Sequence, residues 1–103
     1  MVGEIHLGTF FFSDFQQSKL RPVLVLKEYE EDVLVLPLTT SLRRKGIIVK
    51  NEDLTEGKLK KTSIVITNKP FFVNKGILIR KIGKLNETKF ITIKESLCKE
   101  LGC

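Results

Sequence analysis

The sequence lacks several residues on which common enzyme chemistries depend. Its 103 residues include no tryptophan, one histidine and two cysteines. The cysteines and the histidine form no CxxC or HxxxH pattern, so no zinc site is predicted. Phosphate-binding glycine loops, the GxGxxG motif and the GxSxG nucleophile motif are also missing, which leaves most enzyme classes without support. No metal ion or other cofactor is expected.

Long hydrophobic runs are missing as well. The longest stretch without a charged residue lies between Asp32 and Arg43, far shorter than the roughly 18 apolar residues of a membrane span. The N-terminus opens with Met-Val-Gly-Glu rather than with a basic region and a long apolar stretch, so no signal peptide is expected. The length and the 42% hydrophobic content predict a single globular domain over residues 1–103, without membrane contact.

Positive charge is in excess and is unevenly distributed. Lysine and arginine number 18 against 12 acids, a formal charge of +6. Residues 57–86 contain only basic charges, and Arg43–Lys45 form a second basic cluster, whereas acids concentrate in the segment 28–32. This segregation predicts a basic face for nucleic acid. A surface that merely confers solubility accounts for the charges equally well.

Alternating and continuous apolar segments predict a mainly β fold. Strands are predicted at 5–12, 23–26, 33–36, 47–49, 62–67 and 77–79. Apolar residues on both faces of 33–36 indicate a central strand that is covered on both sides. Pro22 is expected to start its strand and Pro37 to end regular pairing. The segments 51–61 and 68–76 are expected to be irregular.

The hydrophobic period changes after Asn86. One apolar stripe of an amphipathic helix is formed by Phe90, Ile93, Leu97 and Leu101. Asn86 is expected to cap this helix and Gly102 to end it. A spacing of five on a helix points Cys98 and Cys103 apart, so no disulfide is predicted and the reducing cytoplasm is the expected compartment. Together the elements predict a small barrel with a C-terminal helix.

Polar side chains fall at the ends of the predicted strands. The guanidinium of Arg21 suits phosphate because its planar fork donates two hydrogen bonds. The hydroxyl of Thr39 could hold a phosphate oxygen beside it, and the pair could stabilise a phosphorane-like transition state. The structural alternative is that Arg21 pairs with the acidic turn while the hydroxyls satisfy backbone groups after Pro37. His6 is a candidate general base, but a lone strand histidine more often lies at a surface or faces a partner.

Several segments, in order along nearly the whole chain, resemble those of MazF/PemK toxins. They are GEIHL at 3–7, FFFSD at 10–14, SKLRPVLVL at 18–26, PLTTS at 37–41, SIV at 63–65, VNK at 73–75 and KIGKL at 81–85. The Arg-Pro strand followed by the Pro-x-Thr exit is the most specific part of the resemblance.

The resemblance implies a mainly β, SH3-like barrel with a C-terminal helix and a homodimer. It implies the growth-inhibiting toxin of a type II toxin–antitoxin pair, neutralised by a small antitoxin whose tail occupies the RNA groove. It also implies a metal-independent endoribonuclease that cuts single-stranded RNA, including mRNA, at short sequences. In that chemistry the ribose 2′-OH attacks the adjacent phosphate, leaving a 2′,3′-cyclic phosphate and a 5′-hydroxyl.

The resemblance also assigns roles to individual residues. The catalytic arginine and threonine fall on Arg21 and Thr39, and Asp14 is the nearest acidic candidate for a general base. The expected RNA-binding residues are Gln16, Gln17, Lys19, Ser41, Arg43 and Arg44. Some members carry an Arg-x-Asp pair on a later strand, where this chain has Ile66 and Asn68.

That departure leaves a second function open, a non-catalytic protein of the toxin fold that binds RNA or poisons a partner. The gyrase-poisoning toxins on this fold depend on a C-terminal tryptophan. The absence of tryptophan argues against that version. A plain RNA-binding barrel is the third alternative, and its binding would weaken strongly with salt.

Overall fold

The structure is a computed structural model that describes residues 1–11 and 18–103. These residues form a mainly β fold that ends in one α-helix. The elements are β1 (Glu4–Phe11), β2 (Ser18–Glu28), β3 (Asp32–Thr39), β4 (Ile47–Val49), β5 (Leu54–Gly57), β6 (Ser63–Val65), β7 (Phe71–Asn74), β8 (Leu78–Leu85) and α1 (Glu87–Leu101). No helix in this part of the chain has the length and apolar character needed to cross a membrane.

The strands form one antiparallel sheet in the order β4-β6-β3-β2-β1-β8-β5, and β7 pairs with β3 off this path. The first half of β3 lies between β2 and β7, and its end pairs with β6 from Leu38 onwards. This change of partner curls the sheet into a half-barrel. The predicted small barrel with a C-terminal helix is confirmed.

Apolar side chains cover both faces of the central strands because successive residues point to opposite sides. On one face, Leu24 and Leu36 belong to the larger core cluster, to which Ile93 of α1 also belongs. On the other face, Val23 and Val35 belong to a smaller cluster, against which partly buried aromatic rings pack. The predicted double coverage of the central strand is confirmed.

The C-terminal helix begins and ends as predicted. The backbone N–H of Lys89 donates to the side chain of Asn86 at 2.7 Å, and Gly102 adopts a left-handed conformation at φ 79°. The stripe prediction is wrong at Leu101, the last residue of α1, which is 66% exposed and lines a surface cavity.

The prediction that the two cysteines point apart is wrong. Cys98 and Cys103 form a disulfide, with their Cα atoms 5.2 Å apart. Only Cys98 lies on α1. The left-handed turn at Gly102 folds the chain back, and the backbone N–H of Cys103 donates to the carbonyl of Cys98 at 2.9 Å.

Other strand boundaries differ from the predicted ones, because pairing with a neighbouring strand decides them more than the local sequence does. Pro22 lies inside β2, opposite Leu7, rather than at its start. Pairing of β3 with β2 ends at Pro37, as expected. The strand itself continues to Thr39, because the Pro37 carbonyl accepts a hydrogen bond from the N–H of Ile66 at 2.9 Å and the next residues pair with β6. The segments expected to be irregular contain β5 and β7, which are held by β8 and β3.

Candidate functional site

A cavity of about 450 Å³ opens where β2 and β3 part. We call it the first groove. Its described lining residues are Phe10, Arg21, Pro22, Val23, Pro37, Leu38, Thr39, Thr40, Arg44, Ile66, Lys69 and Phe71. The two strands pair as far as Val23 opposite Pro37. Beyond that pair β3 turns to β6. Arg21 and Pro22, which precede Val23, and Leu38 and Thr39, which follow Pro37, therefore line a gap between the strands.

Arg21 is positioned by a paired strand. It lies on β2 opposite Gly8 of β1, two residues from Val23 and therefore on the same face of the sheet. The acidic turn begins at Glu28, seven residues away along an extended strand, which corresponds to about 24 Å. That distance exceeds the reach of an arginine side chain, so the structural alternative in which Arg21 pairs with this turn is not supported.

Thr39 is the last residue of β3, and its hydroxyl has a defined orientation. The backbone N–H of Ser41 donates to Thr39 Oγ1 at 3.1 Å. The hydroxyl therefore satisfies a backbone group, as the structural alternative expected. A hydroxyl that accepts one hydrogen bond still has its own proton to donate. The same geometry thus leaves the hydroxyl proton available to a ligand in the groove.

Two aromatic rings line the first groove. Phe10 and Phe71 meet edge to face, with centroids 5.9 Å apart and planes at 71°. A Cβ on Gly8 would lie 2.9 Å from the ring of Phe10, so glycine at this position leaves room for the ring over the strand. Exposed aromatic surface in a basic groove is the usual platform for an unpaired base.

The described lining of the first groove is basic. Arg21, Arg44 and Lys69 contribute positive charge, and no carboxylate or imidazole is among the described lining residues. Glu28, which lies outside this groove, accepts a hydrogen bond from Lys75 Nζ at 2.9 Å. No group of three metal-ligating side chains lies within residues 1–11 and 18–103.

His6 does not line the first groove. It is 8% exposed, and its Nε2 lies 2.8 Å from Glu4 Oε1. Hydrogen bonding from His6, followed by hydrogen bonding from Lys81, lowers the pKa of Glu4 despite partial burial. The surface alternative expected for His6 is therefore wrong, since this side chain is buried against an acid.

Comparison with protein families gives a match over residues 3–101 to the PemK-like, MazF-like toxins of type II toxin–antitoxin systems. The chain belongs to this toxin family. The match leaves only a few terminal residues outside it. A comparison with curated proteins gave no match.

Solved structures agree with the family in fold. The Mycobacterium tuberculosis toxin MazF-mt6 is 25% identical, with 96% of each chain covered and a TM-score of 0.74. A MazE–MazF structure from Deinococcus radiodurans is 15% identical over 98% of this chain and 94% of that one, with a TM-score of 0.78. A mycobacterial endoribonuclease in complex with its cognate antitoxin is 18% identical over 99% and 94%, with a TM-score of 0.74.

The first groove gathers only part of the residue set expected for a member of this family. Arg21, Thr39 and Arg44 line it. Three other expected residues are exposed but are not among its described lining residues; they are Lys19, Ser41 and Arg43. The expected residues outside the described part of the chain are Asp14, Gln16 and Gln17.

Sequence reasoning did not name Phe10, Lys69 and Phe71 as site residues of this toxin, although Lys69 belongs to the basic stretch at 57–86. Two of them lie in the segment 68–76, which was expected to be irregular. The Phe71-Phe72-Val73 run was the available signal, because aromatic and β-branched residues favour strands. Ile66 also lines the groove but is only 5% exposed.

Proposed function

We propose that this toxin is an endoribonuclease that cleaves single-stranded RNA, including mRNA, at short sequences. The observation that carries the proposal is the placement of Arg21 and Thr39 in one basic groove without an acid in its described lining. A phosphodiester entering the groove would meet a guanidinium fork and an oriented hydroxyl donor. These are the groups that stabilise extra negative charge on phosphorus.

The proposed reaction needs no external nucleophile. The ribose 2′-oxygen attacks the adjacent phosphorus while the bond from phosphorus to the 5′-oxygen breaks. The products are a 2′,3′-cyclic phosphate and a 5′-hydroxyl. Arg21 stabilises the pentavalent phosphate and gives a proton to the leaving oxygen, and Thr39 donates a hydrogen bond to a non-bridging oxygen. No metal ion is part of the proposed step.

The 2′-hydroxyl must also lose its proton, and we propose the carboxylate of Asp14 as the base. The reason is chemical: a general base needs an acceptor, and the described lining of the first groove supplies no carboxylate or imidazole. Asp14 lies outside the described residues. Asp14→Asn should lower the cleavage rate by about 10²-fold or more, and an unchanged rate would remove it from the mechanism.

Base and backbone recognition is proposed for the polar residues around the groove. They are Gln16, Gln17, Lys19, Ser41, Arg43 and Arg44. An RNA base would lie between the aromatic rings and the basic side chains of the groove, and would stack against Phe10 and Phe71. We further propose that the toxin acts in the cytoplasm as a homodimer and is neutralised by a small cognate antitoxin.

The test is a cleavage assay on a long mixed-sequence RNA in EDTA, with wild type and Arg21→Ala prepared in parallel. We expect discrete wild-type fragments with 5′-hydroxyl ends and 2′,3′-cyclic phosphate ends, and no such fragments from the variant. Circular dichroism checks that both proteins are folded. Fragments that require added divalent metal would contradict the metal-independent mechanism, and equal cutting by Arg21→Ala would contradict the assignment of Arg21.

A second candidate function is a non-catalytic RNA-binding member of the family. Ile66 favours it, because this apolar residue lines the groove where some members place a reactive side chain. A folded wild type that binds single-stranded RNA with strong salt dependence but never cuts it would select this alternative.

A further inference from the structure

A second basic cavity, of about 430 Å³, lies beside the first groove. We call it the second groove. It shares Pro22 and Thr40 with the first groove. Its described basic lining residues are Lys58, Lys60, Lys61 and Arg80. No acid is among the described lining residues, and the ion pairs found in the described part of the chain involve none of these four cations.

The lysines project into the second groove because the backbone between them is anchored. Leu59 is 5% exposed and belongs to the larger core cluster. The amide of Asn51 binds Leu59 on both sides: its oxygen accepts from the N–H of Leu59 at 2.7 Å, and its nitrogen donates to the carbonyl at 3.1 Å. With Leu59 held inside, its neighbours Lys58 and Lys60 remain exposed.

A glycine sets the path of this segment. Gly57 has φ +78°, and a Cβ there would overlap the carbonyl oxygen of Ile82. A side chain at this position would therefore be both strained and blocked. The backbone therefore lies close to β8 at this point, and the N–H of Lys58 donates to the carbonyl of Ile82 at 3.2 Å.

Arg80 reaches the second groove from the sheet. Leu7 of β1 is paired with Pro22 of β2 on one side and with Arg80 of β8 on the other. Two strand spacings place the backbone of Arg80 about 10 Å from that of Pro22. The next residue, Lys81, instead binds Glu4 and Glu56, each at 3.3 Å. The sheet thus presents Arg80 to the groove while its neighbour is neutralised elsewhere.

We propose that the second groove binds phosphates of the same RNA strand that enters the first groove, on one side of the scissile bond. This inference rests on the proposed function. Pro22 and Thr40 line both grooves, so the two grooves lie side by side, and each has basic residues in its described lining. A single-stranded polyanion that passes these two residues would contact cations in both grooves, whereas an acidic peptide bound in the second groove alone would leave the neighbouring basic groove without a role.

The test compares two charge-matched double variants of the full chain. Lys60→Ala/Lys61→Ala removes two cations from the second groove. Lys94→Ala/Lys99→Ala removes two exposed cations from α1. Fluorescence anisotropy measures the Kd of each protein for labelled 2′-O-methyl RNA of about 6 and about 20 nucleotides, lengths within and just beyond one single-strand site. This RNA lacks the 2′-hydroxyl nucleophile, so the readout is independent of cleavage.

We expect the second-groove variant to bind the long RNA about tenfold more weakly at moderate salt. Its slope of log K against log salt should be smaller in magnitude by about 1.4, since each lost phosphate contact on a single strand contributes about 0.7. The Kd for the short RNA should change by less than about twofold, because the first groove alone can bind an RNA of this length. The helix variant should match wild type for both lengths.

Other outcomes separate this inference from the proposed function. If wild type never cuts RNA but the length-dependent loss appears, the endoribonuclease proposal fails and the second groove stands as an RNA site. The inference would be overturned if the second-groove variant bound each RNA length with the same Kd as wild type. An unchanged RNA affinity together with lost binding of a ten-residue glutamate peptide would also overturn it, because that result would assign the groove to an acidic protein partner.

Discussion

The two grooves have the same sign of charge but differ in how their side chains are held. In the first groove, Arg21 lies on a strand segment that is paired with Gly8 of β1, and the oxygen of the Thr39 hydroxyl accepts from the N–H of Ser41. In the second groove, Lys60 and Lys61 lie between β5 and β6 and are exposed. Reactions require fixed donors at defined positions, whereas binding a polyanion requires mainly charge. This difference agrees with the proposed catalytic role of the first groove and the proposed binding role of the second.

The most demanding test of this contrast exchanges the two types of cation. Arg21→Lys keeps the charge but loses the planar fork, so we expect less than about a tenth of the wild-type cleavage rate. Arg21→Ala should lose about 10²- to 10³-fold, as expected for removal of one group that stabilises transition-state charge. Single-turnover cleavage of a defined RNA measures both variants.

The reverse exchange in the second groove is the matched control. Lys60→Arg keeps the charge on an exposed residue and should change RNA affinity and the cleavage rate by less than about threefold. Equal sensitivity of the two positions to the exchange would break the distinction between a reactive and a binding groove.

The next effect concerns the hydroxyl of Thr39. Thr39→Val keeps the shape of the side chain but removes both the donor toward a phosphate and the acceptor for Ser41. We expect the cleavage rate to fall about 10- to 100-fold, the range for one hydrogen bond to a charged group. Thr39→Ser retains the hydroxyl and should recover most of the rate in the same assay. Equal loss in both variants would indicate a packing role instead.

Much of the first groove could be predicted from the sequence because its walls are strongly patterned strands. The apolar run at 33–36 identified a central strand, and the position of Thr39 after it followed directly. Arg21 and Thr39 were both expected at strand ends, and both line one cavity. The change of partner by β3 at Pro37 was not predictable, since it depends on pairing with β6, far along the chain.

The second groove could not be predicted because its components are joined only by tertiary contacts. Lys58 and Arg80 were recognised as parts of a basic stretch, but nothing local placed them in one cavity. The segment 51–61 reads as polar, so the buried position of Leu59 was not apparent. Its anchor is the side chain of Asn51, eight residues away, a contact without a periodic signal.

The hydrogen bonds of Asn51 give a prediction about stability in which the second groove is affected and the first is not. Asn51→Ala removes both hydrogen bonds to Leu59 and leaves a partly buried N–H without its acceptor. We expect the free energy of unfolding to fall by about 1–3 kcal/mol, with weaker binding of long RNA and little change in binding of short RNA. Urea denaturation and anisotropy measure the two effects. Asn68→Ala, at an exposed asparagine, is the control and should be neutral within about 0.5 kcal/mol.

The smallest effect concerns the acids that lie outside both grooves. Hydrogen bonding from His6 and then Lys81 holds the pKa of Glu4 below its ordinary value of 4.5. The unfolded state therefore binds more protons near this pH, and the stabilisation is present above about pH 4.5 and is lost as the pH falls through the folded pKa. Glu4→Gln should flatten the dependence of the urea midpoint on pH between 5 and 3, an interval that brackets the ordinary pKa of the carboxyl.

Glu28 provides the comparison for this last measurement. Its pKa is also lowered, by hydrogen bonding from Lys75, but its side chain is 41% exposed against 18% for Glu4. Solvent screens the more exposed pair, so Glu28→Gln should flatten the pH dependence less. RNA binding at neutral pH should be unchanged in both variants, because neither carboxylate is among the described lining residues of either groove. A larger effect of Glu28→Gln would mean that exposure does not rank these pairs.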